Sequence, residues 1–341
     1  MKRFLKSLPK NKHSLSLCYL FAVLLVFFAL LLGVMCGSTP LSLSKLLSAL
    51  GDDTRTSPEA RIFWYVRLPR TLASLFAGGA LALSGAVLQG TLGNRLASPS
   101  VIGVNAGAGL AVTVASAMGV LGGFRLALFA FLGALLSVLL VALGAKKWGV
   151  GRGTVILMGV ALNSLLGAAS DAVSVFFPDA AVMTVAFRVG DFSGVSYVKL
   201  TPAVLLILIA SSLLFTLSHE HDVLTLGDEN AYGLGLRVGN ARSLFLMLAA
   251  MLSGAAVCLA GLLSFVGLLV PHAVRPFSGA SSKHLFPLSL LFGGGFVCLC
   301  DTLSRVVLAP YEFPVGIPIA LIGAPFFLFV LINGREGKHC A

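Results

Sequence analysis

The chain has 341 residues, of which 57% are hydrophobic and only 11% are charged. Soluble domains carry about 25% charged residues, so this composition, with a mean hydropathy of +0.99, excludes an ordinary globular protein. Disordered, collagen-like and disulfide-scaffold chains are excluded as well. A polytopic membrane protein remains, and because its apolar runs are about 20 residues long, they predict helices rather than barrel strands.

The net charge of +11 comes from 24 Lys and Arg against 13 Asp and Glu. In a membrane protein such an excess reports topology, because basic residues collect on cytoplasmic loops. No nucleic-acid-binding motif accompanies the charge, so nucleic acid is not a predicted partner. The six cysteines lack metal-ligand spacing, and no metal site is predicted.

Ten apolar runs predict an all-α fold of ten transmembrane helices. The first run follows a basic N-terminus, residues 1–16, and is too long for a signal peptide, so it is interpreted as a retained span. Residues 17–335 then form one transmembrane domain, and 336–341 form a short tail. The runs lie at about 17–36, 71–91, 100–119, 124–144, 154–177, 200–218, 241–261, 263–276, 286–305 and 315–333.

The distribution of Lys and Arg predicts which ends of the spans face the cytoplasm. With both termini inside, fifteen basic residues lie on inner segments and nine on outer segments. This excess of basic residues on the inner segments is the bias that the positive-inside rule requires. We therefore expect both termini, and the tail, in the cytoplasm.

Two polar segments are too long to be turns. The outer one, 37–70, has leucines at helical spacing from Leu43 to Leu50, which predicts a short amphipathic helix on the membrane surface. The inner one, 219–241, is charged and partly apolar, and we expect one or two short helices broken by Gly233 and Gly235. A structured cytoplasmic segment of this kind is suited to contact a partner protein.

A weak internal repeat is visible. Leu83-Ser84-Gly85-Ala86 recurs as Leu252-Ser253-Gly254-Ala255, and each copy precedes a glycine-containing apolar stretch at Val101-Ile102-Gly103 and Phe265-Val266-Gly267. If the repeat is real, spans 2–5 and 7–10 are related by inversion, because an odd number of spans separates the copies. Inverted repeats are typical of transporters.

Motifs for nucleotide or peptide hydrolysis are absent from the sequence. There is no G-x-x-x-x-G-K-[ST] loop to bind phosphates, and neither H-E-x-x-H nor G-x-S-x-G occurs. We therefore expect that this chain is not an enzyme on its own.

Few ionisable residues lie within the predicted spans, where they are costly and often functional. Asp301 and Arg305 are four residues apart on one helix and can neutralise each other. Asp171 has no such neighbour; it is interpreted either as a proton-carrying site or as a hydrogen-bonding group between helices.

The motif Arg67-Leu68-Pro69-Arg70 places two guanidiniums just before the second predicted span, where the proline is expected to set a turn. Guanidiniums at an outer surface are suited to bind carboxylates of a partner protein. The alternative is that both side chains only anchor the helix at the membrane interface.

Several motifs follow one another in a recognisable order along the chain. They are Arg67-Leu68-Pro69-Arg70, Asn94–Pro99, Leu226–Gly235, Gly267–Arg275 and Glu312–Phe327. Their order and spacing resemble the FecCD/BtuC-type permeases, the membrane subunits of ATP-binding-cassette (ABC) importers for iron-siderophore, haem and cobalamin. The resemblance covers about residues 60–335. Positions that match the family motifs include Pro271, His272, Arg275, Asp301, Glu312, Gly316, Gly323 and Pro325.

This resemblance implies a permease dimer, homomeric or heteromeric, in a bacterial or archaeal cytoplasmic membrane. Two ATPase subunits would bind the inner face and carry the ATP and Mg²⁺, so this chain would bind no cofactor itself. A periplasmic or lipid-anchored binding protein would dock outside.

The resemblance also implies roles for individual residues. It assigns Arg67, Arg70 and Arg305 to salt bridges with acidic residues of the binding protein. Asn94 and Leu96 are assigned to the cytoplasmic gate. The surface that contacts the ATPase is assigned to Leu226, Gly227, Asp228, Glu229, Gly233 and Gly235.

The sequence departs from the family pattern at several positions. The usual Asn-Pro-Leu-Ala of the gate loop is Asn94-Arg95-Leu96-Ala97, so a basic residue replaces the proline. A second gate, expected just before Thr154, has Arg152-Gly153 where small hydroxyl residues are common. Phe187 stands where a tryptophan is common, and Gly190-Asp191 replaces the usual Gly-Ser.

Three functional interpretations follow. The first is an ABC importer permease that carries a metal chelate, with ferric siderophore as the first expectation and haem or cobalamin as the others. The second is a proton-coupled secondary transporter that uses Asp171. The third is a structural or assembly protein of the membrane. The inner segment and the paired outer arginines favour the first.

Overall fold

The computed structural model of the protein describes residues 12–37, 51, 55, 57–120, 122–279 and 281–335. Within these ranges all regular structure is helical, so the predicted all-α fold is confirmed. Residues 1–11, the stretch 38–50 with the predicted surface helix, and the tail 336–341 lie outside them. The helices are α1 (Lys12–Met35), α2 (Pro58–Thr91), α3 (Val104–Ala117), α4 (Gly123–Trp148), α5 (Arg152–Phe176), α6 (Pro178–Met183), α7 (Val185–Val189), α8 (Tyr197–Thr216), α9 (Ser218–Thr225), α10 (Asp228–Gly233), α11 (Val238–Ala260), α12 (Val266–Ser278), α13 (Ser282–Val306) and α14 (Gly316–Arg335).

Seven helices in the described ranges are long and apolar enough to cross a membrane: α1, α2, α4, α5, α8, α11 and α13. α3 and the first part of α14, Gly316–Phe329, are shorter apolar helices, and α12 has 13 residues with two prolines. Each of the ten predicted runs falls on one of these ten helices. The chain is therefore an integral, multi-pass membrane protein, and the count of ten spans and the side of the termini stay predictions.

The motif Arg67-Leu68-Pro69-Arg70 lies inside α2, and the prediction of a turn before the second span is wrong. α2 begins at Pro58 and includes a π-helical turn at Phe63–Arg67. Pro69 directly follows this turn, in the first turn of the α-helical part Leu68–Thr91. Proline has no backbone N–H, and in the first turn of an α-helical stretch the N–H groups have no acceptor within that stretch. The missing donor of Pro69 therefore does not break the helix. The second span's helix thus starts well before residue 70.

The inner segment forms two short helices, α9 and α10, as predicted. The break between them lies at Leu226 and Gly227, however, and not at Gly233 and Gly235. Gly227 has φ of +107°, a conformation that glycine adopts without steric penalty. Gly235, with φ of +85°, turns the chain after α10 toward α11.

α2 lies at the centre of the bundle and packs against α11, α12 and α13. In the most apolar stretch of α2, 83% of the residues are buried, whereas only 17% are buried in that of α5. Glycines let its backbone approach its neighbours: Gly78 faces Gly293 of α13, and Gly85 faces Gly267 of α12. Such small-residue contacts are the usual way in which helices pack inside a membrane.

Replacing Gly85 with alanine is expected to destabilise the protein by about 1–3 kcal/mol, the range for overpacking a close contact. The added methyl group would overlap the backbone of Gly267, which cannot rotate away as a side chain could. The measurement is the melting temperature of the purified protein in detergent. Gly167→Ala in α5 is the matched control, because nothing lies within 4 Å of its new methyl group. Equal melting of both variants would contradict the close contact of α2 with α12.

The order of elements agrees with the predicted internal repeat. In each half a long helix, α2 or α11, is followed by a short one, α3 or α12, and then by a long one, α4 or α13. Both short helices start after a residue in the left-handed conformation, Gly103 with φ of +101° and Phe265 with φ of +65°. The inverted relation of the two halves stays a prediction.

Candidate functional site

The three arginines expected on the outer face lie together at one end of the bundle, but they are buried. Arg67 is 4%, Arg70 5% and Arg305 2% exposed. Arg67 ends the π-helical turn of α2, Arg70 lies in the α-helical turn that follows it, and Arg305 comes from the end of α13. α1 ends beside them, so that three helices meet at this cluster, which we call the outer cluster.

Asp301 is the buried carboxylate of the outer cluster. Its Oδ1 accepts a hydrogen bond of 3.0 Å from Arg70 Nε, and its Oδ2 lies 3.1 Å from Arg305 Nη2. The predicted pairing of Asp301 with Arg305 is therefore confirmed. Arg70 also donates to Glu312 over 2.6 Å through its Nη1. Two cations and two carboxylates thus neutralise one another inside the protein, which is what makes their burial tolerable.

Arg67 and Arg305 close the C-terminal end of α1. Arg67 Nη1 donates to the carbonyl oxygens of Val34 and Met35, over 2.9 and 2.6 Å. Arg305 Nη1 donates to the carbonyl oxygens of Gly33 and Cys36, over 3.0 and 3.3 Å. The last carbonyls of a helix lack intrahelical donors and carry partial negative charge, so guanidiniums stabilise this end. The arginines thereby fasten α1 to α2 and α13.

These contacts change the interpretation of the arginines. From the sequence we expected all three guanidiniums to point out of the membrane toward carboxylates of another protein. In this structure the groups bonded to them belong to this chain, and the half-buried Glu312 is the more exposed carboxylate at the cluster. The sequence could not show this, because the acceptors are far along the chain from their donors: Val34 from Arg67, Glu312 from Arg70 and Gly33 from Arg305.

Asp171 lies on an exposed part of α5, with 75% of its side chain accessible. Its Oδ1 is 3.9 Å from Arg188 Nη2, and Arg188 also donates to the hydroxyl of Ser170 over 3.1 Å. Of the two interpretations of Asp171, these contacts favour a polar link between helices, here α5 and α7.

The predicted gate residues lie in the loop 92–103 that joins α2 to α3. Asn94 Oδ1 accepts a hydrogen bond of 2.8 Å from the backbone amide of Leu96, and the carbonyl of Asn94 accepts from the amide of Ala97. The loop is thereby folded into a compact turn. The side chain of Leu96 is 46% exposed, just after the C-terminal end of α2.

The inner segment is attached to two spans through Asp228. Its Oδ1 accepts from Arg152 Nε over 2.8 Å, and its Oδ2 accepts from Arg242 Nη2. Burial alone would raise the pKa of Asp228, but the hydrogen bonds and charges of Arg242 and Arg152 outweigh it and hold the pKa below its usual value. Arg152 begins α5 and Arg242 lies near the start of α11, so one carboxylate joins α10 to both.

α9 is attached to two further spans through His221 and Asp222. His221 Nε2 donates to the carbonyl of Val87 in α2 over 3.1 Å, and its Nδ1 accepts from the hydroxyl of Ser282 over 2.7 Å. Burial lowers the pKa of His221 to about 4, so the ring is neutral at pH 7. Asp222 Oδ1 accepts from the amide of Ser282 over 2.8 Å, at the start of α13.

Apolar side chains are exposed on the free side of the inner segment. Leu226 is 58%, Tyr232 78% and Leu234 65% exposed. Glu229 and Gly233 are exposed beside them. Apolar groups grouped on a polar segment outside the membrane are typical of a surface that contacts another protein.

The remaining residues of the family motif lie in α12 and at α14, and several of them make contacts between helices. Arg275 Nη2 donates to Gln89 Oε1 over 3.1 Å, and Gln89 Nε2 donates to the carbonyl of Gly267 over 3.3 Å, which ties α12 to the end of α2. His272 lies 3.1 Å from the carbonyl of Leu268 within α12, where Pro271 is buried. At α14, Gly316 approaches the Val189 carbonyl, Gly323 approaches Phe265, and Pro325 lies inside the helix.

Several residues of these sites were missed at the level of sequence. Arg152 was noted only as a departure from the pattern, and Arg242, His221 and Asp222 were not singled out. One signal was available: Arg152 is a cation just before the predicted apolar run 154–177, and the dipole of a helix that starts there disfavours a cation. No group of three or more His, Cys, Asp or Glu is placed to hold a metal ion in the part of the chain that the structure describes.

Known proteins match this chain over most of its length. The Fe(3+)-citrate import system permease protein YfmD of Bacillus subtilis is 34% identical over 334 residues, which are 97% of this chain and 99% of the relative. The hemin transport system permease protein HmuU of Yersinia pestis is 34% identical over 304 residues, 87% and 91% of the two chains. The cobalamin import system permease protein BtuC of Halobacterium salinarum is 37% identical over 272 residues, 80% and 73%.

A solved structure, described as an inward-facing conformation of a metal-chelate type ABC transporter, has the same fold. It superimposes with a TM-score of 0.82 at 29% identity, over 93% of this chain and 99% of that one. The model of the FecCD transport family matches residues 24–333. The chain therefore belongs to the FecCD transport family.

Proposed function

We propose that the chain is the membrane-spanning permease subunit of an ABC importer that moves a metal chelate from a binding protein into the cytoplasm. The observation that carries this proposal is the match over almost the full length to permeases named for import of ferric citrate, haem and cobalamin. Ferric siderophore is the first expected cargo, with haem and cobalamin as the others.

The inner segment is the proposed contact with the ATPase. Leu226, Tyr232 and Leu234 offer an apolar surface, and the acidic Glu229 lies beside it. Gly227 and Gly235 form the turns on either side of α10, and Gly233 is its last residue. ATP and Mg²⁺ would be bound by two partner ATPase subunits, and this chain would supply no catalytic group of its own.

The second permease subunit, identical or related, is proposed to cover exposed apolar residues of α5. Leu157 and Leu165 of this helix are 68% and 67% exposed, and Ser164 and Asp171 interrupt the same side. An interrupted apolar side of this kind suits a protein neighbour or a polar passage better than lipid alone. The proposed location is the cytoplasmic membrane of a bacterium or archaeon, with both termini inside.

Docking of the binding protein is proposed at the outer cluster. For this docking the three arginines, Arg67, Arg70 and Arg305, would have to exchange their internal acceptors for carboxylates of the partner. Because the arginines are buried, this exchange requires movement of α1 or of Glu312. Docking is measured as the affinity of a loaded binding protein for the Arg70→Gln variant in detergent. Unchanged affinity would show that the guanidinium of Arg70 is not part of the docking interface.

The primary test is reconstitution of the chain with its ATPase and binding protein in vesicles. Uptake of the chelate is expected to require ATP and to stop when the ATPase is catalytically dead, because the chain has no phosphate-binding loop. Uptake driven by a proton gradient alone would overturn the proposal and favour the alternative, a secondary transporter that uses Asp171. The pairing of Asp171 with Arg188 gives that alternative no support.

A further inference from the structure

Arg152 reaches from the start of α5 to two other parts of the inner end. Its Nε donates to Asp228 Oδ1 over 2.8 Å, and its Nη2 donates to the carbonyl of Leu224 over 2.6 Å. Both acceptors belong to the inner segment. On its other side, Nη1 of Arg152 would lie 3.0 Å from a methyl group placed on Gly93, the residue next to Asn94 in the predicted gate loop. One side chain therefore touches the inner segment and borders the gate loop.

The position of Arg152 is electrostatically unfavourable without these partners. It is the first residue of α5, and the partial positive charge at a helix N-terminus disfavours a cation there. The side chain is nevertheless only 17% exposed. The carboxylate of Asp228 and the carbonyl of Leu224 offset both the dipole and the loss of water, so the contact with the inner segment is what holds the side chain in place.

The same carboxylate stands at three helix N-termini. Asp228 is the first residue of α10, Arg152 the first of α5, and Arg242 lies in the opening turns of α11. Arg242 also donates to the carbonyl of Val150, just before α5. Directed hydrogen bonds therefore join α10 to the start of α5, and a displacement of α10 would act on this link.

We propose that Arg152 is a positioning residue that converts displacement of the inner segment into movement of the gate loop and the start of α5. The proposal rests on the proposed function, since it assumes that an ATPase moves the inner segment. It assigns to Arg152 a role in coupling, that is, in the amount of chelate carried per ATP hydrolysed. Residues that only hold the inner segment in shape would alter ATPase binding instead.

The test compares Arg152→Ala and Arg152→Lys with the parent in the reconstituted complex. For Arg152→Ala we expect ATPase co-purification and ATP hydrolysis to be retained, while chelate transported per ATP falls about tenfold, the scale of one hydrogen bond to a charged group. Arg152→Lys keeps the charge but lacks the planar fork that serves two acceptors, so an intermediate ratio is expected. Lys147→Ala, which removes an exposed cation at the end of α4, is the matched control.

A second measurement follows the gate directly. Leu96→Cys is labelled with a maleimide in the presence and absence of ATP, against the same chain without the added cysteine. We expect nucleotide to change the labelling rate in the parent and to leave it unchanged in the Arg152→Ala background.

Two results would overturn the role of Arg152. One is a wild-type ratio of transport to hydrolysis in Arg152→Ala. The other is a parallel fall of co-purification, hydrolysis and transport, which would make Arg152 a structural residue of the inner segment. Failure of the proposed function is distinguishable, because then the parent complex itself would show no ATP-driven uptake.

Discussion

Replacing Asp301 with asparagine is expected to destabilise the protein by about 3–5 kcal/mol, the range for breaking a buried ion pair by removing one partner. Asp301 is completely buried between Arg70 and Arg305. Without its charge, Arg70 keeps only Glu312 and Arg305 keeps only carbonyl and hydroxyl oxygens. Two guanidiniums would then repel each other in an environment with little water.

Thermal melting in detergent and the yield of monodisperse protein measure this effect. Asp179→Asn, which removes an exposed carboxylate in α6, is the control and should melt like the parent. Adding Arg305→Gln to Asp301→Asn should recover part of the loss, since it removes one of the unpaired cations. A parent-like melting temperature for Asp301→Asn would mean that the arginines find other partners, for example in water at the outer surface.

Reversing the charge of Asp228 is the second change with a large expected effect. Asp228→Lys would place an ammonium between the guanidiniums of Arg152 and Arg242, at the N-termini of α5, α10 and α11. Repulsion and the three helix dipoles then act in the same direction. We expect the inner segment to detach from the bundle and ATPase co-purification to be lost.

Glu229→Lys separates this effect from loss of a surface charge, because Glu229 is the exposed neighbour of Asp228. Amide hydrogen exchange of residues 218–235 is expected to accelerate in Asp228→Lys and to stay at the parent rate in Glu229→Lys. Co-purification of the ATPase should weaken in both variants if Glu229 faces the ATPase. Slow exchange in Asp228→Lys would show that His221 and Asp222 hold the segment without the Asp228 link.

Local patterns were sufficient to predict the helices and much of the inner segment. Apolar runs predicted ten of the helices, most of them within a few residues, although α2 begins at Pro58 rather than near residue 71. The family motifs predicted the correct class of protein. The Arg67-Leu68-Pro69-Arg70 motif shows where such reasoning fails. A proline after a polar stretch usually marks a turn, and nothing in the sequence indicates that a π-helical turn carries the helix past it.

The partners of the charged residues could not be predicted, because they depend on which helix ends meet in space. Asp301 with Arg305 was predictable, since the two lie four residues apart on one helix. Arg70 and Asp301, in contrast, are 231 residues apart in the sequence, and His221 and Val87 are 134 residues apart. Pairing over such distances follows from the packing of α2 at the centre of the bundle.

The central helix α2 connects the two functional regions of the protein, because it has contacts with the outer cluster and with the inner segment. Arg70, just after the π-helical turn of α2, belongs to the outer cluster, and the carbonyl of Val87 in its last turns accepts a hydrogen bond from His221 of α9. These two residues are separated by about 25 Å of continuous helix at 1.5 Å per residue. Because glycine contacts hold α2 closely against α12 and α13, we expect it to move as one body. If the proposed partners bind at the two ends, we expect a tilt of α2 imposed at one end to reach the other, and by reciprocity a ligand that biases one end to change the affinity of the ligand at the other end.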